Sequence, residues 1–255
     1  MGGTISDEYM PFTQADSNVN FTVNMTSTVS NMGKTTVTQP ALTADNSIDS
    51  DDAYIYDDSD YDESDYNKEI ADSLTDISGH WAENDIYSVV SNGIFSGNDD
   101  NTFTPDSYMT RGMFVTALDY MNDNDEYYEA ADGSFADLTD DDYYTSSAIW
   151  AAKHTIVAAS GNFEPNENIT REEICVMLKN YATYAGIDLK TNGTPLTFTD
   201  QGKISSWATD AVTALSDNGI ISGRPDGSFD PQAPATRAEV AHIMNNFYST
   251  FIAKG

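Results

Sequence analysis

The 255-residue chain contains four arginines, and three of them, Arg111, Arg171 and Arg237, each follow a threonine at the same place in a recurring pattern. Each stands six residues after the proline of Phe103-Thr104-Pro105, Phe163-Glu164-Pro165 or Phe229-Asp230-Pro231. The threonine reads as a helix N-cap, which puts the arginine in the first turn. The helix dipole is positive there, so a cation is disfavoured by roughly a few tenths of a kcal/mol unless an anion sits opposite. A guanidinium fork beside the free amide hydrogens of a helix start is a receptor for a carboxylate or phosphate. In the other reading, each arginine pairs with an acid of a neighbouring repeat and staples the fold. Trp81 and Trp207 carry the same ambiguity: packing at a helix start, or an exposed face that holds a sugar ring beside an arginine. The residues leave both pairs of readings open.

The elements that position these residues recur with them. Copies open with Thr75-Asp76, Ala136-Asp137 and Thr199-Asp200, and in the first and third a tryptophan follows, with Gly93-Ile94 or Gly219-Ile220 beginning twelve residues beyond it. The second copy departs: Tyr143 or Tyr144 replaces the tryptophan, Thr155 replaces the glycine, and the next loop is two residues shorter. Each copy reads as helix, loop, helix. Trp207, Ala211, Val212 and Leu215 share one face, and Gly219 is placed to end that helix in the left-handed conformation. Thr170 with Glu173 and Thr236 with Glu239 form capping boxes, whereas Met113 stands where the first copy would need its acid. Apolar stripes such as Val240, Ile243, Met244 and Phe247 need partners to be buried, so three copies predict an all-α, pseudo-threefold assembly within one chain.

Composition narrows the function. Lys and Arg total 11 against 42 Asp and Glu, a net charge of −31 that repels nucleic acid and anionic membrane faces. No apolar run is long enough to span a bilayer, and Met1-Gly2-Gly3 has neither the basic nor the apolar region of a signal peptide. The lone Cys175 lies in an apolar helical stretch and reads as core. Residues 1–72 are rich in Ser, Thr, Asn and Asp and read as an acidic, mostly disordered spacer, extended from about 45 to 72. Within it Val19, Phe21, Val23 and Met25 alternate as in a strand, with Thr36–Thr38 as a hairpin partner. Three repeats then occupy 73–132, 133–195 and 196–255. No nucleotide loop, nucleophile elbow or zinc-protease helix occurs, and the histidines His80, His154 and His242 are scattered. The sequence thus predicts no enzyme, no catalytic residues, no metal site and no cofactor.

The pattern Asp, Trp-Ala, Gly-Ile, Gly, Pro-Asp-Gly-Ser-Phe, Pro, Thr-Arg-Ala-Glu resembles the S-layer homology repeat. The third copy carries it almost throughout, in Gly219 to Phe229 and Thr236-Arg237-Ala238-Glu239; the second carries it mainly in Ile169-Thr170-Arg171-Glu172-Glu173. The resemblance implies an extracellular anchor that holds a surface protein on the bacterial cell wall. The grooves between repeats would bind secondary cell-wall polymer through a pyruvate ketal on an amino sugar. Carried onto this chain, the ligand contacts implied are Arg111, Arg171, Arg237, Trp81, Trp207, Gly97 and Gly223, and the second copy, lacking tryptophan and loop glycine, implies a silent groove. Alternatives are a self-assembling surface-layer or filament protein joined through the N-terminal segment, an adhesin for other glycans, and a binder of polyamine-modified peptidoglycan, which suits so acidic a surface.

Overall fold

A computed structural model describes residues 26–30, 34–38, 63–123, 127–133, 135–159, 161–191 and 197–253. Strands β1 (Thr26–Ser30) and β2 (Lys34–Thr38) form a two-stranded sheet. The expected partner Thr36–Thr38 lies in β2, but the strand opposite is Thr26–Ser30; the stretch 19–25 lies outside the described residues.

The rest is helical: α1 (Glu63–Ser73), α2 (Glu83–Ser91), α3 (Arg111–Met121), α4 (Thr145–Lys153), α5 (Arg171–Tyr184), α6 (Thr209–Asp217) and α7 (Arg237–Phe251). The pairs α2/α3, α4/α5 and α6/α7 are the three copies. Helix α1 corrects the expectation of an extended spacer up to residue 72. Its intrinsic signal is weak, yet it packs on α2, where Ala71 and Leu74 are buried and Tyr87 donates to Asp72 at 2.9 Å. Tertiary burial here outweighs an unfavourable composition.

The three helix starts are built as expected. Thr110, Thr170 and Thr236 each accept from the backbone N–H three residues on, and Glu173 and Glu239 close capping boxes that Met113 leaves open in α3. Left-handed residues sit at the expected turns, Gly219 at φ 71°, Gly227 at 81° and Asn101 at 58°. Cys175 is fully buried, and burial pushes its thiol up to about 12.

Packing between copies runs in one direction: α3 on α4, α5 on α6, α7 on α2. At the centre Met109 N–H donates to Ala235 O (3.0 Å), Ala235 N–H to Ile169 O (3.0 Å) and Ile169 N–H to Met109 O (2.9 Å). Three buried residues, one from each copy, thereby satisfy one another in a closed cycle. Phe103, Phe163 and Phe229, one per copy, are all buried.

Candidate functional site

Each seam between copies is built from one arginine and the Phe-x-Pro loop of the next copy. Arg111 Nε donates to Phe163 O (3.0 Å), Arg171 Nε to Phe229 O (2.7 Å) and Arg237 Nε to Phe103 O (2.8 Å). Each guanidinium also stands over the ring of that phenylalanine, 5.2, 5.1 and 4.3 Å from the centroid. Arg171 and Arg237 are buried, and burial lowers the pKa of both, Arg237 to about 10, so they remain cationic at neutral pH.

The free amide hydrogens expected at these helix starts are instead used by the fold. Arg111 and Gly112 N–H donate to Glu167 and Pro165 O, Arg171 and Glu172 to Ala233 and Pro231 O, Arg237 and Ala238 to Ser107 and Pro105 O, all at 2.8 to 3.1 Å. The sequence suggests open donors because their acceptors lie in the next copy, out of local view.

The loops that carry the acceptors are held by carboxylates whose role the sequence reading missed. Asp76 accepts from Phe103 and Thr104 N–H, Asp137 from Phe163 and Glu164, and Asp200 from Phe229 and Asp230, at 2.7 to 2.9 Å. These bonds hold Thr104, Glu164 and Asp230 in the left-handed region at φ 53 to 59°. The signal was present: one aspartate recurs 26 to 29 residues before each phenylalanine. The amides of Phe229 and Asp230 hold the Asp200 carboxyl below the usual carboxylate range.

The other expected site residues divide. Trp81 is 61 % exposed and Trp207 58 %, each just before the first helix of its copy. Trp81 meets His242 of α7 edge-on at 5.9 Å, which places it on the seam between copies 3 and 1. Tyr143 holds the corresponding place in copy 2 but is half-buried, its hydroxyl pushed up to about 12 by that burial. Gly97 and Gly223 are positions of close approach: a Cβ would stand 3.0 Å from Leu74 Cδ2 at the first and 2.9 Å from Ser228 O at the second. The carbonyls just before them, Ser96 O and Ser222 O, accept from Arg237 Nη2 (3.3 Å) and Arg171 Nη2 (3.1 Å). Arginine and loop glycine thus share two seams, between copies 3 and 1 and between copies 2 and 3. At the seam between copies 1 and 2, Arg111 Nη1 instead binds Glu173 Oε1 at 2.9 Å. At the seam between copies 2 and 3, the buried Glu172 also accepts from Ser205 N–H and Oγ, both at 2.9 Å. No helix among the described residues is long and apolar enough to cross a membrane.

Known proteins share this pattern. Residues 73–112, 134–175 and 197–241 each match the S-layer homology domain. The chain is 33 % identical over 175 residues to an amylopullulanase of Thermoanaerobacterium thermosulfurigenes, a match that covers 68 % of this chain and 9 % of that enzyme. It is 30 % identical over 183 residues to an S-layer protein of Bacillus thuringiensis subsp. finitimus, covering 69 % and 21 %. To a cellulosome-anchoring protein of Acetivibrio thermocellus it is 37 % identical over 89 residues, covering 34 % and 19 %. The chain therefore spans about a tenth to a fifth of the length of these relatives. The family and the S-layer relatives indicate a cell-surface location and support a surface-anchoring module. With three matched repeats in tandem, the chain belongs to the S-layer homology domain family.

Proposed function

We propose that the three repeats, in units of about 73–132, 133–195 and 196–255, form a pseudo-threefold anchor. It holds a surface protein on the cell wall by binding pyruvylated secondary cell-wall polysaccharide in the grooves between repeats. The observation that carries this reading is a fixed, buried guanidinium at two of three seams, with an exposed tryptophan just before the first helix of the copy whose loop it binds. The guanidinium edge pairs with a ketal carboxylate, the indole face covers the sugar ring, and Gly97 and Gly223 let the loop backbone close the groove. It is a binding role with no bond made or broken. An anionic polymer meets long-range repulsion from an acidic chain, so moderate salt strengthens this binding, whereas it weakens binding to a cationic, polyamine-modified wall.

The test is co-sedimentation with purified Gram-positive sacculi, before and after acid stripping of the secondary polymer. Alanine at Arg171 or Arg237 would break a structural seam, so the informative variants are the exposed tryptophans, Trp81→Ala with Trp207→Ala. Binding lost on stripping and in the double variant supports the reading. Binding that survives both overturns it in favour of peptidoglycan or self-association.

A further inference from the structure

The three seams differ in the charge that faces each arginine. Arg111 has Glu173 at 2.9 Å. Arg171 has Glu239 at 3.9 Å, and a second cation, Arg224, holds the same Glu239 at 2.8 Å and Asp230 at 2.8 Å. In the third seam the position of these glutamates is taken by Met113, whose Sδ stands 4.0 Å from Arg237 Nη1. Among the described residues no carboxylate lies within ion-pair distance of Arg237, although only 7 % of the residue is exposed.

A cation taken from water without a counter-ion is costly, and carbonyls offset only part of that cost. The carbonyls of Phe103 and Ser96 and the Phe103 ring supply that part. Asp76 acts on Arg237 electrostatically, but its oxygens are committed to the Phe103 and Thr104 amides. Asn98 stands where copy 3 has Arg224, so no second guanidinium shares this groove. Trp81, on the same seam, leans on His242, five residues beyond Arg237 in α7.

We infer that the seam between repeats 3 and 1 is the groove that receives the anion, and that Met113 is the specificity-determining residue that keeps it open. A singly charged carboxylate on a sugar substituent supplies the counter-ion that Glu173 and Glu239 supply internally at the other two seams. This rests on the carbohydrate-binding reading above but is separable from it, because it concerns which arginine meets the carboxylate.

With only four arginines, the side-chain Nε signals of the full chain can be assigned by nuclear magnetic resonance from single Arg→Lys variants. The probe is a 4,6-pyruvate ketal of an N-acetylhexosamine methyl glycoside. On titration the Arg237 signal moves first. Met113→Glu weakens binding by at least about tenfold while keeping or raising the melting temperature, since the new acid completes the capping box with Thr110. Met113→Gln, neutral and of similar size, binds within about threefold of the parent chain, a difference of under about 0.7 kcal/mol. The inference is overturned if Arg111 or Arg171 moves first, if Met113→Glu binds like the parent, or if no arginine signal moves. Sacculus sedimentation in parallel reads anchoring alone: retained sedimentation with a silent Arg237 sinks this inference and leaves the anchor standing.

Discussion

Repeats 2 and 3 differ where ligand chemistry is expected and agree where the fold is made. Both keep the aspartate clamp, the buried phenylalanine, the proline, and the threonine and arginine of the helix start. Only repeat 3 keeps the exposed tryptophan and the loop glycine; repeat 2 has the half-buried Tyr143 and, at the helix end, Thr155 in place of glycine. Drift in one copy thus separates two sets of residues that a single repeat would leave mixed. The residues that hold each loop and its seam are retained in both, and the exposed tryptophan and loop glycine are not.

That separation can be broken at several points. The largest effect should come from Phe163→Ala and Phe229→Ala, which each remove a fully buried ring; both cost about 3 to 5 kcal/mol in denaturant unfolding, and a clear inequality would mean that repeat 2 has loosened. Asp137→Ala and Asp200→Ala should each cost about 1 to 2 kcal/mol, because two backbone donors lose a charged acceptor. The same clamp has a pH signature. Since the folded Asp200 carboxyl is held below its usual value, its contribution is complete above the ordinary carboxylate range and is lost as pH falls through the folded value. Asp200→Asn should therefore flatten the acid limb of the stability profile, and leave stability between pH 6 and 8 nearly level.

Trp81→Ala, at the seam that receives the anion, should lower sacculus binding by about tenfold, or 1.4 kcal/mol, with a change in stability under about 0.5 kcal/mol. Tyr143→Ala should do the reverse, leaving binding unchanged and lowering the melting temperature. The smallest expected effect sharpens the contrast from the other side. Thr155 holds φ 58° where Gly93 and Gly219 hold 70° and 71°. A β-branched residue is strained there, so Thr155→Gly should stabilise the chain by about 1 kcal/mol.

Much of this was legible in the sequence. The helix starts, the two closed capping boxes and the open one, the left-handed Gly219 and the buried Cys175 depend on neighbours within a few residues, and local spacing reports them. Helix α1 was not legible, because Ile70, Ala71 and Leu74 make too short a stripe to announce a helix that forms by docking on α2. The environment of the arginines was hidden for a related reason. Their acceptors lie 51 to 141 residues away along the chain, and only the closing of repeat 3 on repeat 1 brings Ser96 and Phe103 to Arg237. The local reading, an arginine beside open amides, fails at the amides, which the next copy takes up, while each guanidinium is anchored there through Nε.

The cycle through Met109, Ile169 and Ala235 has a consequence for cooperativity. In an open array of repeats the outermost unit has one neighbour and can fray alone. Here every repeat has two, and losing any one exposes both its seams and leaves the other two joined by a single seam. A fourth copy has no vacant edge to join, and no terminal copy is left to melt first. The three units should therefore unfold in one transition, with equal calorimetric and van't Hoff enthalpies, and under load the anchor should hold as a whole or release as a whole.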